Sequence, residues 1–169
     1  MSVASPALIE TRSRPVAAIV CAGLTIGTLD ITSAMLCWGL TKGVPPIRIL
    51  QSVASGWLGR TAAFEGGMRS ALLGLVSHYF IAFTIATVYY LASRRLPFLV
   101  RHAVPCGLVY GFLAWVVMNY IVVPLSAIHA VPAMSLAGFI SGPIGHPFLV
   151  GLPAALFTRK FSATLEPTA

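Results

Sequence analysis

Asp30, His78 and His146 are the residues of this chain whose types could do chemistry together, because each sits inside a long apolar run. A carboxylate and two imidazoles in a low-dielectric setting titrate as a coupled set, which is the composition of a proton or ion site. Asn119 adds a fourth polar group from another apolar run. Asp30 is the most telling, since a charge at the centre of a bilayer costs about 2.5–3.5 kcal/mol on insertion scales. It must therefore pair or face a polar cavity.

Three chemical readings follow from these residues. The first is a proton or ion site built from Asp30, His78 and His146. The second makes His78 and His146 axial ligands of a b-type haem, or part of a metal site. The third is a lipid or isoprenoid head-group site that uses Arg48 and Arg60. Against all three stands a plain structural role, in which these groups hydrogen-bond across helices and fix register at about 0.6 kcal/mol each. Asn119, and His129 in a turn, read that way.

Soluble enzyme signatures are missing: there is no P-loop, no GxGxxG, no G-x-S-x-G and no HExxH. The chain has four acidic residues in all, and only Asp30 lies deep in a span, so a two-carboxylate mechanism has no candidates. Ser77 and His78 are sequence neighbours, point about 100° apart on a helix and cannot form a dyad. Cys21, Cys37 and Cys106 lack CxxC spacing and read as small buried hydrophobes rather than metal ligands. The residues name no catalytic group, no metal set and no cofactor.

The elements that position these groups are set by composition. The chain is 57% hydrophobic and 9% charged, with a mean hydropathy of +0.89, whereas soluble domains carry about 25% charged residues. A water-soluble globule is excluded. Apolar runs of about 20 residues match a hydrocarbon core of about 30 Å, and no series of short alternating strands suggests a barrel. The expected fold is all-α: an integral membrane four-helix bundle with spans at about 16–40, 70–93, 104–126 and 134–157. Together they make a transmembrane domain at 15–160, between a polar lead at 1–14 and a tail at 161–169.

Gly43-Val-Pro-Pro46 ends the first span, and residues 47–61 then read as an amphipathic helix too short to cross a bilayer. Such a helix lies in the interface or re-enters the membrane. An interfacial position is expected, with Arg48 and Gln51 over the end of the bundle. Small residues mark the packing faces: Gly23 and Gly27 beside Asp30, Gly107 and Gly111 as a GxxxG pair, and Gly138 and Gly142 beside His146. The GxxxG faces are expected to make a homo-oligomer. Pro143 and Pro147 inside the fourth span predict a kink or local unwinding. Counting about 1.5 Å per residue puts Asp30, His78, Asn119 and His146 within roughly 6 Å of one another in depth.

The net charge is +7, but the basic residues flank apolar runs without the interleaved aromatics of a nucleic-acid patch. Membrane lipid is the expected partner, not nucleic acid. Arg12, Arg14, Arg94, Arg95, Arg101, Arg159 and Lys160 fall on one side, against Lys42, Arg48, Arg60 and Arg69 on the other. The positive-inside rule then makes both termini cytoplasmic. The first run is too long for a signal peptide and reads as a retained anchor.

Two segments repeat. Gly23-Leu24-x-x-Gly27-x-Leu29 matches Gly107-Leu108-x-x-Gly111-x-Leu113, and Gly74-x-x-x-His78-x-Phe80 matches Gly142-x-x-x-His146-x-Phe148. The halves would be two-helix hairpins of the same orientation. Finally, Leu50-Gln-Ser-Val-Ala-Ser-Gly-Trp-Leu-Gly59, Asn119 with the following Val-Val-Pro-Leu125, and Gly145-His-Pro-Phe-Leu-Val-Gly-Leu-Pro153 carry a resemblance. Over most of 16–160 the chain resembles a widespread family of small bacterial four-helix inner-membrane proteins with no assigned activity. The resemblance implies a bacterial inner-membrane address and brings no ligand or catalytic residue.

Overall fold

Proline starts and glycine stops divide the apolar sequence into helices. In the computed structural model, which describes residues 9–10, 13–130, 135–162 and 165–166, helix α1 (Pro15–Lys42) opens on a proline whose missing N–H is no loss in a first turn. It closes at Gly43, which adopts a left-handed φ of 65° and donates its N–H to the Gly39 carbonyl at 2.9 Å. Helices α2 (Pro46–Leu58), α3 (Arg60–Glu65), α4 (Gly67–Arg95) and α5 (Phe98–Arg101) follow. Then come α6 (Ala103–Leu125) and α7 (Leu136–Phe161). Among the described residues, helices α1, α4, α6 and α7 are the ones long and apolar enough to cross a membrane, and each overlaps its predicted span.

The first and last spans meet at their ends. The Arg14 N–H donates to the Phe161 carbonyl at 3.1 Å, and just beyond, Ile9–Glu10 pairs antiparallel with Leu165–Glu166. Most of the polar lead and tail, and residues 131–134 of the last turn, lie outside the described residues.

More than half of the buried hydrophobic side chains are alanines. Ala18, Ala22, Ile26, Ala82, Ala86, Ala154 and Ala155 are buried, while Leu24, Leu36, Val76, Phe80, Val109, Leu113 and Phe148 are exposed. This is the reverse of a water-soluble bundle, where large apolar chains go inside. Small residues let helix backbones approach closely. Tyr89 is the largest of the fully buried side chains and packs edge-on to Tyr110 with ring centroids 4.9 Å apart.

Glycines set the register between spans. Gly23 faces the Phe83 ring and Gly27 the Tyr79 ring, joining α1 to α4. Gly107 faces Gly151 and Ala155, and Gly111 faces Pro147, joining α6 to α7. Tyr79 and Phe83 stand one and five residues after His78; Pro147 and Gly151 stand one and five residues after His146. The two repeated segments therefore pack in the same register in both hairpins. That agreement supports a duplication more strongly than the matching letters do.

The GxxxG pair Gly107 and Gly111, expected to hold two copies together, is occupied by α7 of the same chain. Its small residues are spent on the internal contact, so that face is not open to a second copy. Gly142 takes the Trp115 indole, and Gly138 lies 3.8 Å from Trp38 as measured from an added Cβ.

The expected helix at 47–61 is two helices. Gly59 takes φ 75° and ψ 165°, a conformation outside the helical region, and breaks the run between α2 and α3. Helix α2 lies lengthwise against α4 rather than across the end of the bundle. Gln51 donates to the Gly67 carbonyl at 3.0 Å, Leu50 and Ala54 meet Gly74, and the Trp57 indole N–H donates to Ser77 Oγ at 3.0 Å. Contacts advance together along both helices, so they run in the same direction, and Trp57 lies some ten residues along α4, roughly 15 Å at 1.5 Å per residue. Gln51 is only 2% exposed whereas Trp57 is 68% exposed. The face of α2 turned to the protein is mixed, with Ile49, Gln51, Ala54 and Ser55 buried, while Arg48, Ser52, Trp57 and Leu58 are exposed. Gln51→Leu is expected to lower stability by about 1 kcal/mol, the worth of one lost internal hydrogen bond, read as a lower midpoint of thermal unfolding in detergent.

Candidate functional site

Helix α1 carries the site's two fixed acceptors on neighbouring turns, the Gly27 carbonyl and the Asp30 carboxylate. From α4, His78 Nε2 lies 2.9 Å from the Gly27 carbonyl oxygen. A carbonyl only accepts, so Nε2 carries the proton of that ring. Beside it, the Tyr79 and Thr28 hydroxyls are 2.9 Å apart. The α1–α4 contact is thus stitched by two polar bridges flanking the Gly27–Tyr79 packing.

From α7, His146 reaches the same part of α1. Its Nδ1 is 3.7 Å from Asp30 Oδ1 and 3.0 Å from the Ser141 carbonyl oxygen. The shorter contact is a hydrogen bond and the longer is not, though it is within ion-pair range. Nδ1 therefore holds a proton, donated to Ser141, with the Asp30 carboxylate next in line. Nε2 of His146 makes no hydrogen bond among the described residues, and the two side chains are 18% and 21% exposed. The pair is sheltered without being sealed.

Local backbone chemistry puts His146 there. Pro143 and Pro147 have no N–H to give, so the helix cannot keep its usual bonds around them. It relaxes into π-helical turns at Ile140–Ile144 and Pro147–Gly151, with His146 in the short joint between them. The Gly145 N–H reaches back to the Ile140 carbonyl, and the His146 ring supplies a donor to Ser141. Widened turns of this kind occur frequently at functional sites. The expected kink or unwinding takes this form.

Asn119 does not join the constellation. Its Nδ2 donates to the Trp115 carbonyl at 3.0 Å, one turn back in its own helix. It lies in another π-helical turn, Met118–Val122, and the bond stays local, as Asn side chains often do. Similar depth placed Asn119 near the others, but depth leaves direction open. His129 sits in the turn after α6 with φ 50° and is exposed.

Arg48 and Gln51 form a separate polar knot. Arg48 donates to the Phe64 carbonyl at 2.9 Å and to Gln51 Oε1 at 3.3 Å, and its guanidinium lies 5.4 Å from the Phe64 ring centroid. It ties α2 to α3 rather than facing Asp30. Ser141 and Ser70 were not singled out in the sequence. Ser70 Oγ donates to the Ala63 carbonyl at 2.6 Å, and a buried serine one turn from Gly74 is the signal that could have found it. The Ser141 role is a backbone one and has no side-chain signature beyond the downstream prolines.

The repeat sharpens the reading of Asp30. Three residues after Gly27 stands Asp30; three residues after Gly111, at the equivalent place, stands Ala114. His78 binds a backbone carbonyl, whereas its counterpart His146 approaches the acid. The pseudo-equivalent halves thus carry one acid–imidazole pair between them. No family model, curated protein or solved structure matches the chain.

Proposed function

We propose that this is a multi-pass protein of the bacterial inner membrane, with cytoplasmic termini, that moves protons or a proton-coupled solute through the Asp30–His146 pair. The inverted burial pattern supports the membrane setting. Large apolar chains cover the outside of every span, a surface that in water would aggregate. Helix α2, lying along α4 with Gln51 buried and Trp57 exposed, then reads as a re-entrant piece beside α4 rather than an interfacial cap. Arg94, Arg95, Arg101, Arg159 and Lys160 favour the cytoplasmic assignment of that end. Membership of the small inner-membrane family that the sequence resembles fits this picture.

The observation that carries the chemistry is the 3.7 Å approach of His146 Nδ1 to Asp30 Oδ1 with Nε2 left unengaged. A neutral ring holding its proton on Nδ1 takes up a second proton at Nε2. The resulting cation then gives the Nδ1 proton to the Asp30 carboxylate, leaving a neutral ring protonated on Nε2 and a neutral acid. Proton and charge balance at each step, and the pair returns to its start when Asp30 releases its proton and the ring exchanges tautomers. A bis-histidine haem has less support, because His78 Nε2 is already engaged with the Gly27 carbonyl.

Purified protein in vesicles with a trapped pH-sensitive dye tests the relay. His146→Gln is expected to lower proton flux at least tenfold, while Asn119→Ala leaves it unchanged. Equal flux in wild type and His146→Gln would return the pair to a register-fixing role and favour a non-catalytic scaffold or accessory subunit.

A further inference from the structure

A second site lies at the opposite end of the molecule from α2, where α4, α5 and α6 meet. A groove of about 420 Å³ opens there to the outside of the bundle. Tyr89, Leu99, Cys106, Val109, Tyr110 and Leu113 line it. Its polar atoms are spoken for: the Tyr89 hydroxyl donates to the Leu99 carbonyl at 3.0 Å and the Tyr110 hydroxyl to the Ile85 carbonyl at 2.7 Å. What remains is ring faces and aliphatic surface. The Tyr89–Leu99 bond also ties α5 to α4 beside the groove.

Shape and charge indicate what fits. Along α6 the groove runs from Pro105 to Leu113, roughly 12 Å at 1.5 Å per residue, close to one leaflet of an about 30 Å hydrocarbon core. None of the lining residues is charged, but Arg94 and Arg95 follow the lining Ala92 by two and three residues in the last turn of α4, and Arg101 follows the lining Leu99 by two in the last turn of α5, all three exposed. An apolar slot of leaflet depth with three exposed arginines close by in the chain matches a molecule with an acyl chain and an anionic head. Basic pockets between spans on the cytoplasmic side take anionic lipid head groups in this way, and guanidinium forks suit phosphate oxygens.

We propose that this groove is a binding site for an anionic phospholipid, one acyl chain lying against Tyr89, Val109 and Leu113 and the phosphate held by Arg94, Arg95 and Arg101. The proposal rests on the transmembrane reading but not on the Asp30–His146 chemistry.

Native mass spectrometry of delipidated protein in detergent tests it, with phosphatidylglycerol and phosphatidylcholine of identical chains as probes. Wild type is expected to retain phosphatidylglycerol with at least tenfold preference. Arg95→Gln with Arg101→Gln should erase the preference, and Val109→Trp, which fills the slot without touching charge, should cut retention of both lipids about tenfold. Asp30→Asn should change neither. Equal retention of the two lipids, or preference intact in the arginine variant, overturns the proposal.

Should the variants misfold, Cys106 gives the answer in an otherwise native chain carrying Cys21→Ser and Cys37→Ser. Phosphatidylglycerol should slow its alkylation by a maleimide at least fivefold, and an unchanged rate overturns the site. Failure of the membrane reading itself would look different: the protein would stay dispersed after detergent removal.

Discussion

Asp30→Asn is expected to abolish proton-coupled flux and, at the same time, to make the protein more stable. The side chains are nearly isosteric, so packing of α1 against α7 is kept. The amide cannot take up and release a proton, so the relay from His146 Nδ1 has no acceptor and flux should fall by at least an order of magnitude. Stability moves the other way because an ionised group deep in a span costs about 2.5–3.5 kcal/mol on insertion scales. The amide avoids most of that cost, and a gain of about 1–2 kcal/mol is expected once the lost attraction to His146 is counted against it. Vesicle flux and thermal unfolding of the same preparation measure both. A variant that loses flux and stability together would mean that Asp30 holds the fold. One that keeps its flux would remove the acid from the chemistry. Opposite signs for function and stability mark a group kept for what it does.

Gly151→Ala is expected to separate α6 from α7 and cost about 3 kcal/mol, the upper end of what overpacking usually takes. A Cβ there would collide with the Gly107 carbonyl oxygen and stand 2.5 Å from the Gly111 amide nitrogen. Both are backbone atoms, so no side chain can rotate away, and a helix must move. The same shift would pull at His146, five residues earlier in α7, and disturb its approach to Asp30. Gly39→Ala is the control: its Cβ would meet only the Val44 carbonyl, at 3.7 Å, and the better helix propensity of alanine should leave stability equal or higher by up to about 1 kcal/mol. Detergent melting curves of the two variants decide. Equal midpoints would show that the α6–α7 contact is softer than its backbone distances imply.

Part of this was determined by the sequence alone, because it depends on neighbours in the chain. The four long apolar helices follow from hydropathy summed over consecutive residues, and their ends from Pro15, Gly43, Pro46 and the Arg94–Arg95 pair. The small-residue stripes told which face of each helix packs, since 3.6 residues per turn fixes a direction relative to the helix axis. Even the unwinding near His146 was foreseeable from two prolines that cannot donate.

Partners were decided only by the tertiary structure. A helical face says where a side chain points on its own rod and nothing of which rod it meets. Asp30 met His146 and not His78 because the Gly27–Tyr79 contact carries His78 onto a backbone carbonyl, while two π-turns swing His146 toward the acid. Gly107 and Gly111 closed on α7 within the chain, although the same pattern serves equally well between copies. Helix α2 lay along α4 because Gly74 lets the Leu50 and Ala54 backbone in, a fit that needs both surfaces at once. Asn119 was expected at the depth of the others, yet it bonded its own helix. Depth is a count along one chain; contact also requires the azimuth and register of a second, and those are set by how small residues on different helices close the gaps between them.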